Sequence, residues 1–198
     1  MSGLGAPGRV RFSEGAGRSS LDFIRTVRFR GTPDEVEELS GPEALAAWIG
    51  HFGPVVDNPA APLSSRDVTA ARALREAIAR LIAAARDGTG LAARSVADRS
   101  RINAAAAKPV PEPALDAAGC VRWQAADPLA ATLALVARDA IELVASGAAR
   151  RVRRCANPAC GALFLDASRP GTRRWCSMST CGNQAKKRAL RAKVAPRG

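Results

Sequence analysis

Four of the five cysteines lie near the C-terminus, as Cys155, Cys160, Cys176 and Cys181, in the pattern C-x4-C-x15-C-x4-C. Two short-spaced pairs joined by one longer loop suit a tetrahedral metal. Each pair folds as a tight knuckle, and only one long loop has to be closed. Zinc accepts four thiolates at about 2.3 Å, and four protein sulfurs leave no coordination position open, so the site is structural and not catalytic. Zn2+ is the cofactor this spacing predicts. Its binding supplies on the order of 10 kcal/mol of folding energy to a module too small to bury a core of its own. Asn157-Pro158 and Ala159 suit a turn inside the first pair.

The charge follows the cysteines. From Arg150 onward there are 13 Lys and Arg against one acid, Asp166, so this segment carries the whole net charge of +12 and the rest of the chain is neutral. A neutral body with a strongly basic end predicts that the end meets a polyanion. The opening residues are rich in Gly and Arg and lack the apolar run of a signal peptide. No stretch is apolar enough to span a bilayer, since Leu129–Val144 is interrupted by Arg138, Asp139 and Glu142. The expectation is a cytoplasmic protein with no membrane partner, in which reduced cysteines hold metal in preference to forming disulfides.

Hydrophobic residues make up 47% of the chain, enough for a core, but aromatics only 4%, so Leu, Ile, Val and Ala must fill it. Residues 1–20 read as a flexible N-terminus, 21–149 as a helical body and 150–198 as the zinc finger. Leu21–Val27 is ambiguous: Phe23 and Val27 share a helical face, but the β-branched content also permits a strand. A short helix is predicted over about 41–51, with Pro42 in its first turn and Leu45, Trp48 and Ile49 as its stripe. Residues 53–65 read as a loop. A long helix from about 65 to 87 carries Leu74, Ile78, Leu81, Ile82 and Ala85 at core-facing spacings, and Gly88 and Gly90 end it. A weaker helix is predicted over 92–107 on Leu91, Val96 and Ile102. Residues 108–119 read as a connector and 120–124 as a short strand. Asp127 caps a helix opened by Pro128, with Leu129, Leu133, Val136, Ala140, Leu143 and Val144 buried and Gly147 as its stop.

Within the finger, Ala162–Leu165 reads as one strand of a small hairpin, with 166–171 as its turn and Trp175 packed against it. After Cys181 a helix is predicted to about Val194. Ala185, Ala189 and Ala192 fall on a narrow face, and the rest of its surface is largely cationic. The predicted fold class is therefore mainly α: a multihelical N-terminal domain with a few short strands, and a small treble-clef or ribbon-like zinc finger built from a hairpin and a helix.

The residues around the cysteines match a known family. Arg154–Cys160, Leu163–Asp166, Arg173–Met178 and the closing Cys181-Gly182-Asn183-Gln184 resemble the CGNR zinc finger. Leu21–Val27 and Ala44–Ile49 resemble segments of its usual companion, the ABATE domain. The chain departs from these patterns at Gln184, where the finger carries Arg, and at Arg25, where the opening motif carries Asn. The resemblance implies a stress-related bacterial transcription regulator whose finger binds DNA at the nucleoid. Its N-terminal domain is left to sense a small-molecule effector or to pair two chains as a homodimer. The expected DNA contacts are Arg153, Arg154, Arg173, Arg174, Asn183, Gln184, Lys186, Lys187, Arg188 and Arg191. Charge alone does not distinguish DNA from RNA or from an acidic protein partner, so an RNA-binding module and a protein-interaction adaptor stand as alternatives.

The remaining candidates have bland readings. His51 ends a helix, where a cation suits the dipole. Cys120 reads as a small buried apolar residue, and Trp48 and Trp123 as core. There is no Gly-rich phosphate loop, nucleophile elbow or HExxH motif, so the chain is not read as an enzyme.

Overall fold

The long amphipathic stretch becomes α3 (Ser65–Asp87), opened by a reciprocal cap between Ser64 and Asp67 and closed by Gly88 at φ 68°. Val68, Ala71, Leu74, Ala77, Ile78 and Ile82 form its buried face, at the three- and four-residue spacing that keeps side chains on one side of a helix. The structure is a computed structural model and describes residues 12–54, 62–89 and 96–194. Against α3 pack α1 (Ser19–Ile24), α2 (Pro42–Phe52), α4 (Val96–Ala106) and α5 (Pro128–Ala145). The Asp127 side chain accepts the Ala130 N–H at 2.9 Å and starts α5 as its spacing predicted. Part of the aromatic content is gathered around Trp48, which lies 4.8 Å from Phe23 and 5.2 Å from Phe52 between ring centroids.

Among the described residues, three antiparallel hairpins complete the fold. The first pairs β1 (Val27–Arg28) with β2 (Val36–Glu37), Val27 opposite Glu37. It is tied to α3 by Arg75, which is only 3% exposed. Arg75 donates to both Glu37 carboxylate oxygens at 2.7 and 2.6 Å and to the Thr26 hydroxyl at 3.0 Å. A buried guanidinium is tolerated only when its donors are met in this way. The second hairpin pairs β3 (Glu112–Leu115) with β4 (Val121–Gln124), and the third pairs β5 (Val152–Arg154) with β6 (Leu163–Leu165).

Several expectations are corrected. Of the N-terminal segment expected to be flexible, residues 1–11 lie outside the described residues, but Phe12 and Ala16 are buried and α1 already starts at Ser19. The ambiguous Leu21–Val27 splits between helix and strand. Leu91 and Gly90 lie outside the described residues, and Val96 is 68% exposed, so α4 contributes mainly Ile102 to the core. The connector over 108–119 contains β3, which pairs with the predicted strand. That hairpin projects from the body: Cys120 is exposed and Trp123 is 38% exposed, so neither belongs to the core. Trp48 does, at 0% exposure. His51 lies 3.4 Å from a Glu14 carboxylate oxygen at the end of α2. Finally, β6 pairs with β5 and not with the residues after 171, so the loop of that hairpin is the first cysteine pair itself.

The hydrophobic core does not stop at the finger. Val152 and Phe164, 2% and 0% exposed, join Leu143 and Ala149 in one cluster that extends to Cys155, Cys176 and Cys181. Among the described residues, no helix is long and apolar enough to cross a membrane.

Candidate metal centre and cationic surface

The hairpin of β5 and β6 delivers the first two thiols. Cys155 follows β5 directly, and its N–H donates to the Ala162 carbonyl at 2.8 Å, extending the ladder by one pair. The chain turns at Asn157, whose carbonyl accepts the Cys160 N–H at 2.9 Å, and leaves the loop through Gly161 at φ 61°. The loop leading to the second pair is wound around Asp166, which is fully buried. Its carboxylate accepts from the Ser168 hydroxyl at 2.6 Å and from the Ser168 and Arg173 N–H groups at 3.0 Å each. The Ser168 hydroxyl bond is the main reason its carboxyl is held below the usual range, with burial opposing. Ser177 then accepts the Thr180 N–H at 3.3 Å and opens a single wide turn, Met178–Gly182, that carries Cys181. The helix α6 (Asn183–Val194) follows without a break. A knuckle in a hairpin plus a pair at the start of a helix is the treble-clef arrangement, one of the two expected.

The four Sγ atoms all lie within 4.8 Å of one another, with Cys160–Cys176 and Cys176–Cys181 both at 3.7 Å. A tetrahedron with Zn–S of 2.3 Å has edges of about 3.8 Å, so the donor set fits Zn2+ in both chemistry and size. The thiols also constrain one another's ionisation. The hydrogen bond from Cys176 holds Cys160 down to about 5. The same bond, burial and the neighbouring thiolate charge push Cys176 above the usual thiol range. A divalent cation held by these four residues would offset that repulsion and let all four ionise.

Asn157 is the residue that the spacing argument undervalued. Only 3% exposed, it donates through Nδ2 to Cys181 Sγ at 3.5 Å and to Gln184 Oε1 at 3.1 Å, and its Oδ1 accepts from Arg188 at 2.9 Å. In sequence its only signal is the Asn157-Pro158 turn of the first knuckle. Such outer-shell donors orient metal ligands.

The expected contact residues do not all face solvent. Arg153, Arg154, Arg174, Asn183, Gln184, Lys186, Lys187, Arg188 and Arg191 are exposed. Arg173 is half-buried: its guanidinium lies over the Phe164 ring at 4.6 Å and donates to the Trp175 and Cys176 carbonyls. It braces the second knuckle. Trp175 is half-buried at the edge of the core, as a packing role requires, with the Arg174 guanidinium 5.4 Å from its ring centroid. Asn183 donates to the Ser179 carbonyl at 3.1 Å, tying the helix start to the wide turn.

Two family models match. One, described as "Putative stress-induced transcription regulator" and named ABATE, matches residues 17–147, which hold α1 through α5. The CGNR zinc finger model matches residues 151–194, which hold β5, β6, the four cysteines and α6. No curated protein matches the chain. Both resemblances read from the sequence are borne out: this chain belongs to the ABATE family and carries a CGNR zinc finger at its C-terminal end.

Proposed function

We propose that the protein is a zinc-dependent DNA-binding transcription regulator working at the bacterial nucleoid, and that its helical body receives the signal. Cys155, Cys160, Cys176 and Cys181 hold the ion, which fixes the knuckle against the start of α6. Lys186, Lys187, Arg188 and Arg191 on α6, with Arg153, Arg174 and Asn183, then meet the phosphates. One observation carries this reading. Asp166, the sole acid from Arg150 onward, is 0% exposed and engaged inside its own loop, so every charged side chain on the surface of the finger is positive. Mixed charge would suit solubility, whereas a surface of one sign suits a polyanion.

The test is fluorescence anisotropy of zinc-loaded protein with a labelled DNA duplex across a salt series. If about six phosphates are neutralised, log K falls with log salt at a slope near −5. A slope near zero rejects the reading. Competition by duplex RNA of equal length at fixed salt, if stronger than that of DNA, transfers the function to RNA.

A further inference from the structure

We infer that the cleft between the helical body and the finger binds a small organic anion with an oxyanion head and an apolar body. The cleft, lined on the finger side in part by Asn157 and the metal-centre thiols Cys160, Cys176 and Cys181, has a total volume of about 590 Å³, within the range of roughly 300–1,000 Å³ usual for small-molecule sites. Ile24, Val27, Ala79 and Ala83 form apolar lining on the body, and Ala162 and Leu163 on the finger.

Five arginines reach the same lining, Arg25, Arg28, Arg30, Arg86 and Arg154, against the carboxylate of Asp34 and the three metal-centre thiols, whose charge a bound zinc ion partly offsets. Two are already engaged: Arg30 grips Glu76 with bonds of 2.6 and 3.0 Å, and Arg86 pairs with Asp87 at 2.7 Å. The other three are not matched this way. Arg25 is only 9% exposed, yet its nearest carboxylate, Asp22, is 3.6 Å away, and it donates one hydrogen bond of 3.3 Å, to the Glu14 carbonyl. Arg28 stands 3.5 Å from Glu38. Arg154 has no ion pair among the described residues. A guanidinium has five N–H donors, and Arg25 engages them with only these two long contacts, so an oxyanion in the cleft could pair with it at closer range. Carboxylates and phosphates suit guanidinium forks, and low local polarity strengthens the pairing. Phe29 also lines the cleft, at φ 53°, a conformation that bulky residues rarely adopt and that concentrates at ligand sites.

The role of this cleft as an effector site rests on the DNA-binding reading above; anion binding does not. The experiment is isothermal titration calorimetry on the zinc-loaded full chain, with phenylacetate as carboxylate probe, hexyl phosphate as phosphate probe and hexanol as neutral control. Saturable one-to-one binding of at least one anion is expected, with none by hexanol at the same concentration. Arg28→Ala and Arg25→Met should each weaken that binding at least tenfold. Arg28→Ala should leave ligand-free DNA affinity within twofold, because Arg28 lies on the body. Arg28 is exposed, so its variant keeps the test decisive should Arg25→Met fail to fold. The proposal is overturned by no saturable heat from either anion, by equal binding of hexanol, or by unchanged affinity in Arg28→Ala. A comparable loss of DNA affinity in that variant also overturns it, since the cleft would then belong to the DNA interface. Anion binding without DNA binding would keep the site and remove the regulator; DNA binding without anion binding would do the reverse.

Discussion

Leu165 in β6 donates its backbone N–H to the carbonyl of Ala16 at 2.7 Å, joining the finger to the segment that precedes α1. The next residue, Gly17, sits at φ +90°, and a Cβ there would stand 3.3 Å from the Leu165 Cβ. Gly17→Ala therefore combines a disfavoured backbone with a tight contact at the seam. It is expected to cost about 1–3 kcal/mol in urea unfolding of the zinc-loaded chain. Stability equal to wild type would mean that the seam yields easily.

Cys176 is 4% exposed and belongs to both the thiol cluster and the common core. Cys176→Ser should reduce bound zinc from one per chain to a small fraction, measured by elemental analysis after dialysis. Because Phe164 and Val152 lie in the same cluster as Leu143, the damage should extend beyond the finger. Hydrogen exchange should rise in α1 as well as in β5 and β6. Full zinc retention would remove Cys176 from the ligand set.

Asn157→Ala removes the donor to Cys181 Sγ and leaves Gln184 Oε1 and the Arg188 guanidinium without their Asn157 partners. Loss of an outer-shell donor typically weakens metal binding by about 10- to 100-fold. Competition with a zinc chelator should show a loss of that size while the fold is retained at saturating zinc. Unchanged zinc affinity would reduce Asn157 to a turn residue.

Glu38 has a pKa raised to about 7, mainly by burial, with Arg28 and Arg25 lowering it and Glu37 adding to the rise. One of its carboxylate oxygens is buried with no hydrogen-bond partner. The folded state therefore binds this proton more tightly than the unfolded state, whose Glu titrates near 4.5. The contribution of Glu38 is most favourable below the unfolded value. It is lost as pH rises from there through about 7, by no more than about 3 kcal/mol. Glu38→Gln should flatten that part of the stability-against-pH curve between pH 5 and 8, measured by urea unfolding. An unaltered slope would assign the pH dependence to other groups.

Local chemistry made much of this protein legible. The two cysteine pairs, the Asp127-Pro128 opening of α5, the apolar spacing of α3 and the separation of charge are short-range patterns, and the structure agrees with each. A metal-ligand spacing or a helical stripe is written in neighbouring residues, because the 3.6-residue period and the knuckle geometry are themselves local. The two-residue strands β1 and β2 left no comparable pattern, and Trp123 and Cys120 were misplaced because side-chain type carries no record of which hairpin projects from the body. The partner of β6, the inward turn of Arg173 and the chain from Cys181 through Asn157 to Arg188 depend on contacts between residues far apart in sequence. So do the shared core of body and finger and the arginine-lined cleft at their seam. Such pairings are chosen by which distant surfaces can pack and satisfy buried polar groups together, and no window of neighbouring residues contains that information.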